Sequence, residues 1–85
     1  MASARREDRL RALKNDLAGH VVEICAADVN IAADMERLAA ETKRLLGTVN
    51  ILVYATGTNT PDRALKRLKP QIWDELMTTN LDGAY

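Results

Sequence analysis

Apolar residues recur at helical spacing in three stretches of this chain and form short continuous runs in two others. Leu10, Leu13 and Leu17 are spaced three and four apart with charges between them, so a helix is predicted over 5–17, with Gly19 as a plausible stop. Val21-Val22-Glu23-Ile24-Cys25-Ala26 reads as a strand, and Glu23 within it suits a sheet edge, where a charge deters further pairing. The stretch 31–46 is the clearest helix. Met35, Leu38, Ala39, Thr42, Leu45 and Leu46 form its inward stripe, Asn30 or Asp34 can cap or charge its start, and Gly47 ends it.

The run Val49-Asn50-Ile51-Leu52-Val53-Tyr54 is β-branched and apolar, then passes into Ala55-Thr56-Gly57 and a loop of turn formers. Such a run predicts a strand buried on both faces, the habit of a parallel sheet. A strand that ends in small residues lets a ligand approach its backbone, and in open α/β sheets ligands sit beyond the carboxyl ends of strands. Residues 55–59 are therefore the first place to look for a site. Pro70 opens a last helix whose apolar face carries Ile72, Trp73, Leu76, Met77 and Leu81. The first four residues carry no pattern. The predicted order is helix, strand, helix, strand, loop, helix, which is α/β architecture, with little sheet for the helices to cover.

Composition narrows the classes. Eighty-five residues make one small domain. Twelve basic and twelve acidic residues cancel, which weighs against a nucleic-acid partner. No run nears the ~20 apolar residues that span a bilayer, and the charged start from Arg5 lacks a signal peptide's apolar core, so a cytoplasmic protein without a membrane partner is expected. Cys25, the single cysteine, lies in an apolar run and reads as a small buried hydrophobe. No metal site is expected.

Four segments, in order, resemble the short-chain dehydrogenase/reductase family. Ser3-Ala4-Arg5-Arg6-Glu7-Asp8-Arg9-Leu10 is similar to the end of the family's second strand and the helix after it. Ala27-Asp28-Val29 is similar to the segment after the third strand. Ile51-Leu52-Val53-Tyr54-Ala55-Thr56-Gly57 is similar to the fourth strand and the Asn-Asn-Ala-Gly motif, here Tyr54-Ala55-Thr56-Gly57, in which only the glycine matches. Trp73-Asp74 with Thr79-Asn80-Leu81-Asp82-Gly83-Ala84-Tyr85 is similar to the start of the fifth helix and its active-site Asn. The family's Gly-rich turn, its Ser and its Tyr-x-x-x-Lys do not occur in this sequence.

The resemblance implies a partial Rossmann-type fold, a doubly wound parallel sheet that is incomplete in this chain. Residues 1–85 are then a fragment of a single NAD(P)-binding domain. It implies an oxidoreductase that transfers hydride between a nicotinamide cofactor and a small carbonyl or alcohol substrate, as a homodimer or homotetramer. The isolated chain is expected to be inactive. Where an NAD-preferring member usually has a carboxylate this chain has Ala4, followed by Arg5 and Arg6, and a guanidinium pairs with a 2′-phosphate, so NADP is expected over NAD, with Arg5 and Arg6 contacting the cofactor. Asp28 would accept a hydrogen bond from the adenine amino group, and Val29 would line the adenine pocket. Ala55, Thr56 and Gly57 would admit the cofactor ribose to the backbone. Asn80 is the one implied catalytic residue, holding a water that serves the proton relay.

The family's sheet order, 3-2-1-4-5-6-7, would keep the strands at 21–26 and 49–54 apart by three spacings, roughly 14–15 Å. Arg63, Lys66, Arg67 and Lys69 read as a solvated basic face, and Trp73 as core or subunit interface. His20 is assigned no chemistry. The alternative from another class is a truncated, non-catalytic α/β module that binds a protein partner through its last helix.

Overall fold

The computed structural model describes residues Met1–Tyr85, which form two compact units, Met1–Leu52 and Val53–Tyr85. The first contains strand β1 (Ala2–Ala4), helix α1 (Glu7–Asp16), strand β2 (Ile24–Ala26) and helix α2 (Ala32–Leu46). The strands are parallel, with Ala2 opposite Ile24, Ser3 opposite Cys25 and Ala4 opposite Ala26. Parallel neighbours need a crossover connection, and α1 supplies it. The ladder opens with Ala2 N–H donating to the Glu23 carbonyl at 2.8 Å and closes with Ala27 N–H donating to the Ala4 carbonyl at 3.0 Å. Helix α1 packs on both strands and buries Leu10, which with Cys25 and Ala27 makes the core.

Several boundaries differ from expectation, each for a physical reason. Residues 2–4 form a strand although their side chains are small, because pairing with β2 supplies the ladder. The expected strand over 21–26 is confined to Ile24–Ala26, since β1 is too short to pair further, and Val21 is 87% exposed. Helix α1 starts at Glu7 because Arg6 is extended (φ −97°, ψ 102°), and it stops at Asp16, before Gly19. Gly19 does not take a positive φ; Gly47 does, at φ 81° and ψ −126°, a backbone conformation open to glycine, where α2 ends. No side chain caps α2. Asp34 is turned instead to the Asp28 backbone N–H, 2.8 Å away.

The largest correction is at 49–54, which is not a strand. The sheet contains β1 and β2 alone, and Ile51, Leu52 and Val53 are 82%, 84% and 79% exposed. A strand is defined by its ladder, and this run has strand-forming side chains without a neighbour to pair with. The expected gap to the 21–26 strand therefore has no second strand to define it.

The second unit carries helix α3 (Pro70–Asn80) between 3-10 turns at Leu65–Arg67 and Asp82–Ala84. Pro70 sits in the first turn after an extended Lys69, as its missing N–H and fixed φ favour. Ile72 and Leu76 are half-buried, whereas Trp73 is 49% exposed and so is not core. No helix is long and apolar enough to cross a membrane.

Candidate functional site

In the first unit the parallel register brings two loops to one sheet edge. Ala4 and Ala26 are partners, so Arg5 and Arg6 leave β1 beside the segment Ala27-Asp28-Val29 that leaves β2. Both arginines are exposed and form no ion pair. Asp28 and Val29 are half-buried. The Asp28 carboxylate accepts the Asn30 backbone N–H at 2.9 Å, a local turn typical of Asp in loops.

Asp28 is itself held from α2. Its N–H donates to Asp34 Oδ2 at 2.8 Å, and Arg37 Nη2 donates to Asp34 Oδ1 at 2.9 Å and to the Ala26 carbonyl at 2.8 Å. Arg37 Nη1 also lies 3.2 Å from Cys25 Sγ. The Asp28 N–H, followed by the Arg37 guanidinium, holds the Asp34 carboxyl below the ordinary carboxylate range. The hydrogen bond to Asp34 raises the Arg37 guanidinium above its usual value. The carboxyl end of β2 is thus fixed by a charge-assisted network that leaves Arg5 and Arg6 free.

In the second unit the feature is Asn80, the last residue of α3. Its Oδ1 accepts the Thr58 N–H at 2.7 Å and its Nδ2 donates to the Thr58 carbonyl at 3.0 Å. A carboxamide has one donor face and one acceptor face, so it can satisfy both backbone groups of one residue as a neighbouring strand would. Gly57 leaves room for this pair, because a Cβ there would lie 3.0 Å from Asn80 Oδ1 and the carboxamide would have to give by a few tenths of an ångström. Ala55, Thr56 and Gly57 are exposed. An open groove of about 590 Å³ lies beside Asn80, lined by Thr58, Leu68, Trp73, Leu76 and Met77 among others. In the basic segment, Arg67 pairs with Asp62 at 2.8 Å and holds that carboxyl below its ordinary range, while Arg63, Lys66 and Lys69 are exposed.

The sequence-predicted residues thus fall into two sets, Arg5, Arg6, Asp28 and Val29 in one unit and Ala55, Thr56, Gly57 and Asn80 in the other. Sequence reasoning missed the Asp34–Arg37 network and the part of Thr58. The spacing of Asp34 and Arg37, three apart on a helix, was the available signal for the first. Nothing local signals the second, which joins residues 22 positions apart.

Over residues 1–85 the sequence matches the family described as short chain dehydrogenase. The chain belongs to that oxidoreductase family, and its parallel strand pair, crossed over by α1, is a partial Rossmann-type α/β fold. Among individual proteins it is similar to 3-oxoacyl-(acyl-carrier-protein) reductase FabG of two strains of Staphylococcus epidermidis. Identity is 31% over 81 residues, covering 93% of this chain and 33% of each relative. The chain spans about a third of the length of the curated relatives it matches.

Proposed function

We propose that residues 1–85 are part of the cofactor-binding domain of an NADP(H)-dependent oxidoreductase that acts on a small carbonyl or alcohol substrate. The observation that carries this is the pair of unpaired guanidiniums, Arg5 and Arg6, at the carboxyl end of β1. An exposed, uncommitted guanidinium can take a phosphate in a two-pronged bond, whereas a ribose hydroxyl gives it little. Asp28, which follows the partner of Ala4 by two residues and whose N–H is held by Asp34, would accept from an adenine amino group. The residues present therefore fit the adenosine 2′-phosphate end of NADP, with Val29 against the base.

The cofactor supplies the hydride. This chain's own part is to select and hold its adenosine end, and to present Asn80 at the end of α3 as the residue that orders a relay water. Gly57 keeps the ribose side of the loop open and leaves room for the Asn80 carboxamide. Hydride transfer to a carbonyl also needs a proton donor, and no Tyr-x-x-x-Lys occurs in this sequence, so the isolated chain is inactive in this reading. The relatives' name describes reduction of a 3-oxoacyl group, which agrees with a ketone as the substrate class. A cytoplasmic homodimer or homotetramer without a nucleic-acid partner completes the proposal.

Amide shifts in the 85-residue chain, titrated at low salt with adenosine 2′,5′-bisphosphate and with adenosine 5′-monophosphate, test it. The bisphosphate should bind about tenfold tighter, the worth of one charge-assisted pair, with shifts at Arg5, Arg6, Asp28 and Val29. Equal affinity for the two nucleotides contradicts the NADP reading.

A further inference from the structure

Tyr54 opens the quartet Tyr54-Ala55-Thr56-Gly57, at a position where the family pattern has Asn. Its hydroxyl does not serve the loop it sits in. Oη donates to the Thr79 backbone carbonyl at 2.9 Å, 25 residues along the chain. Thr79 lies in the last turn of α3, where carbonyls have no partner within the helix. The helix end is not closed by a left-handed residue either, since Leu81 has φ −112° and ψ −61°. The next residue after Thr79 is Asn80. Two adjacent residues at the end of α3 are therefore tied to one loop segment, Thr79 by the Tyr54 phenol and Asn80 by the Thr58 backbone.

We propose that Tyr54 is a positioning residue for Asn80, its phenol fixing the last turn of α3 so that the Asn80 carboxamide meets Thr58 squarely. Its importance for catalysis rests on the reading of Asn80 as the relay residue; its geometric role does not. A carboxamide bond pair to one backbone residue tolerates little rotation, because both bonds weaken steeply away from linearity. A helix end free to fray by one turn would lose that alignment, and the phenol removes that freedom.

Hydrogen exchange of the 85-residue chain at micromolar concentration, resolved to single amides, tests this. Tyr54→Phe keeps the ring and removes only the donor. It should speed exchange of the Thr58 N–H about fivefold, the loss expected for one hydrogen bond, and leave the Trp73 amide, bonded to the Lys69 carbonyl in α3, unchanged as an internal report that the second unit is folded. Asn80→Ala should speed Thr58 exchange at least as much. In a full-length form that turns over, Tyr54→Phe should lower kcat with the KM for NADPH unchanged. The proposal is overturned if Thr58 exchange is the same in Tyr54→Phe and in the parent chain while Asn80→Ala speeds it, or if Thr58 is unprotected in the parent chain. A full-length form without activity on any nicotinamide cofactor would count against the oxidoreductase reading and leave the exchange result standing.

Discussion

The two units solve the problem of a short sequence differently. Met1–Leu52 has a backbone ladder, a buried leucine and an Asp34–Arg37 ion pair whose hydrogen bonds to Asp28 and Ala26 hold the end of β2. Val53–Tyr85 has no strand and no buried apolar side chain, and it holds its loop to its helix by side-chain-to-backbone bonds from Tyr54 and Asn80. The difference teaches where rigidity comes from in each candidate site. In the first, the backbone is fixed by burial and pairing, so Arg5 and Arg6 need no partner to be placed. In the second, the candidate side chain is itself the structural tie, so any change that frees Asn80 also frees the loop.

Removing the core of the first unit should separate the two most clearly. Leu10 is 4% exposed, and Leu10→Ala should cost about 2–4 kcal/mol, a large share of a small unit's stability. Thermal unfolding followed by far-ultraviolet circular dichroism should shift down, while the fluorescence of Trp73, in the second unit, should not follow it. Coincident shifts by both probes would mean that the units melt as one and that the comparison fails.

A smaller effect sharpens the same contrast through pH. The Asp34 carboxyl has a lowered value in the folded chain, so its contribution is present above the ordinary carboxylate pKa, about 4, and is lost as pH falls through the lower folded value. Below that range the Asp28 N–H should exchange faster than its intrinsic acid rate accounts for, and Asp34→Asn should show the faster exchange at neutral pH. The Thr58 N–H, whose acceptor is an uncharged carboxamide, should be indifferent to the same change. An Asp28 amide that keeps its protection in acid would remove Asp34 from the network.

The helices were legible in the sequence because their signals are local. The leucine spacing of α1, the stripe of α2 with Gly47 after it, and Pro70 at the start of α3 each act within one or two turns. Strands were legible only in part, because a strand depends on a distant partner: β2 lies within the run 21–26 read as a strand, but its extent was set by β1. Ala2-Ser3-Ala4 has no strand-forming side chain and is a strand, while the run 49–54 has the strongest strand composition in the chain and is not one. The sites follow the same rule. Arg5, Asp28, Gly57 and Asn80 could be named from the order of motifs, but the contacts that hold them could not. Asn80 meeting Thr58, Tyr54 meeting Thr79, and the near approach of Gly57 to Asn80 all link residues more than 20 positions apart.

The central claim is that the end of β1 reads a 2′-phosphate, and the cofactor preference of a full-length form with Arg5→Ala tests it most directly. Loss of one charge-assisted pair costs about 1.5–3 kcal/mol, so kcat/KM for NADPH should fall about ten- to a hundredfold, with little change for NADH. An equal loss with both cofactors would show that Arg5 does not read the phosphate, and would contradict the account.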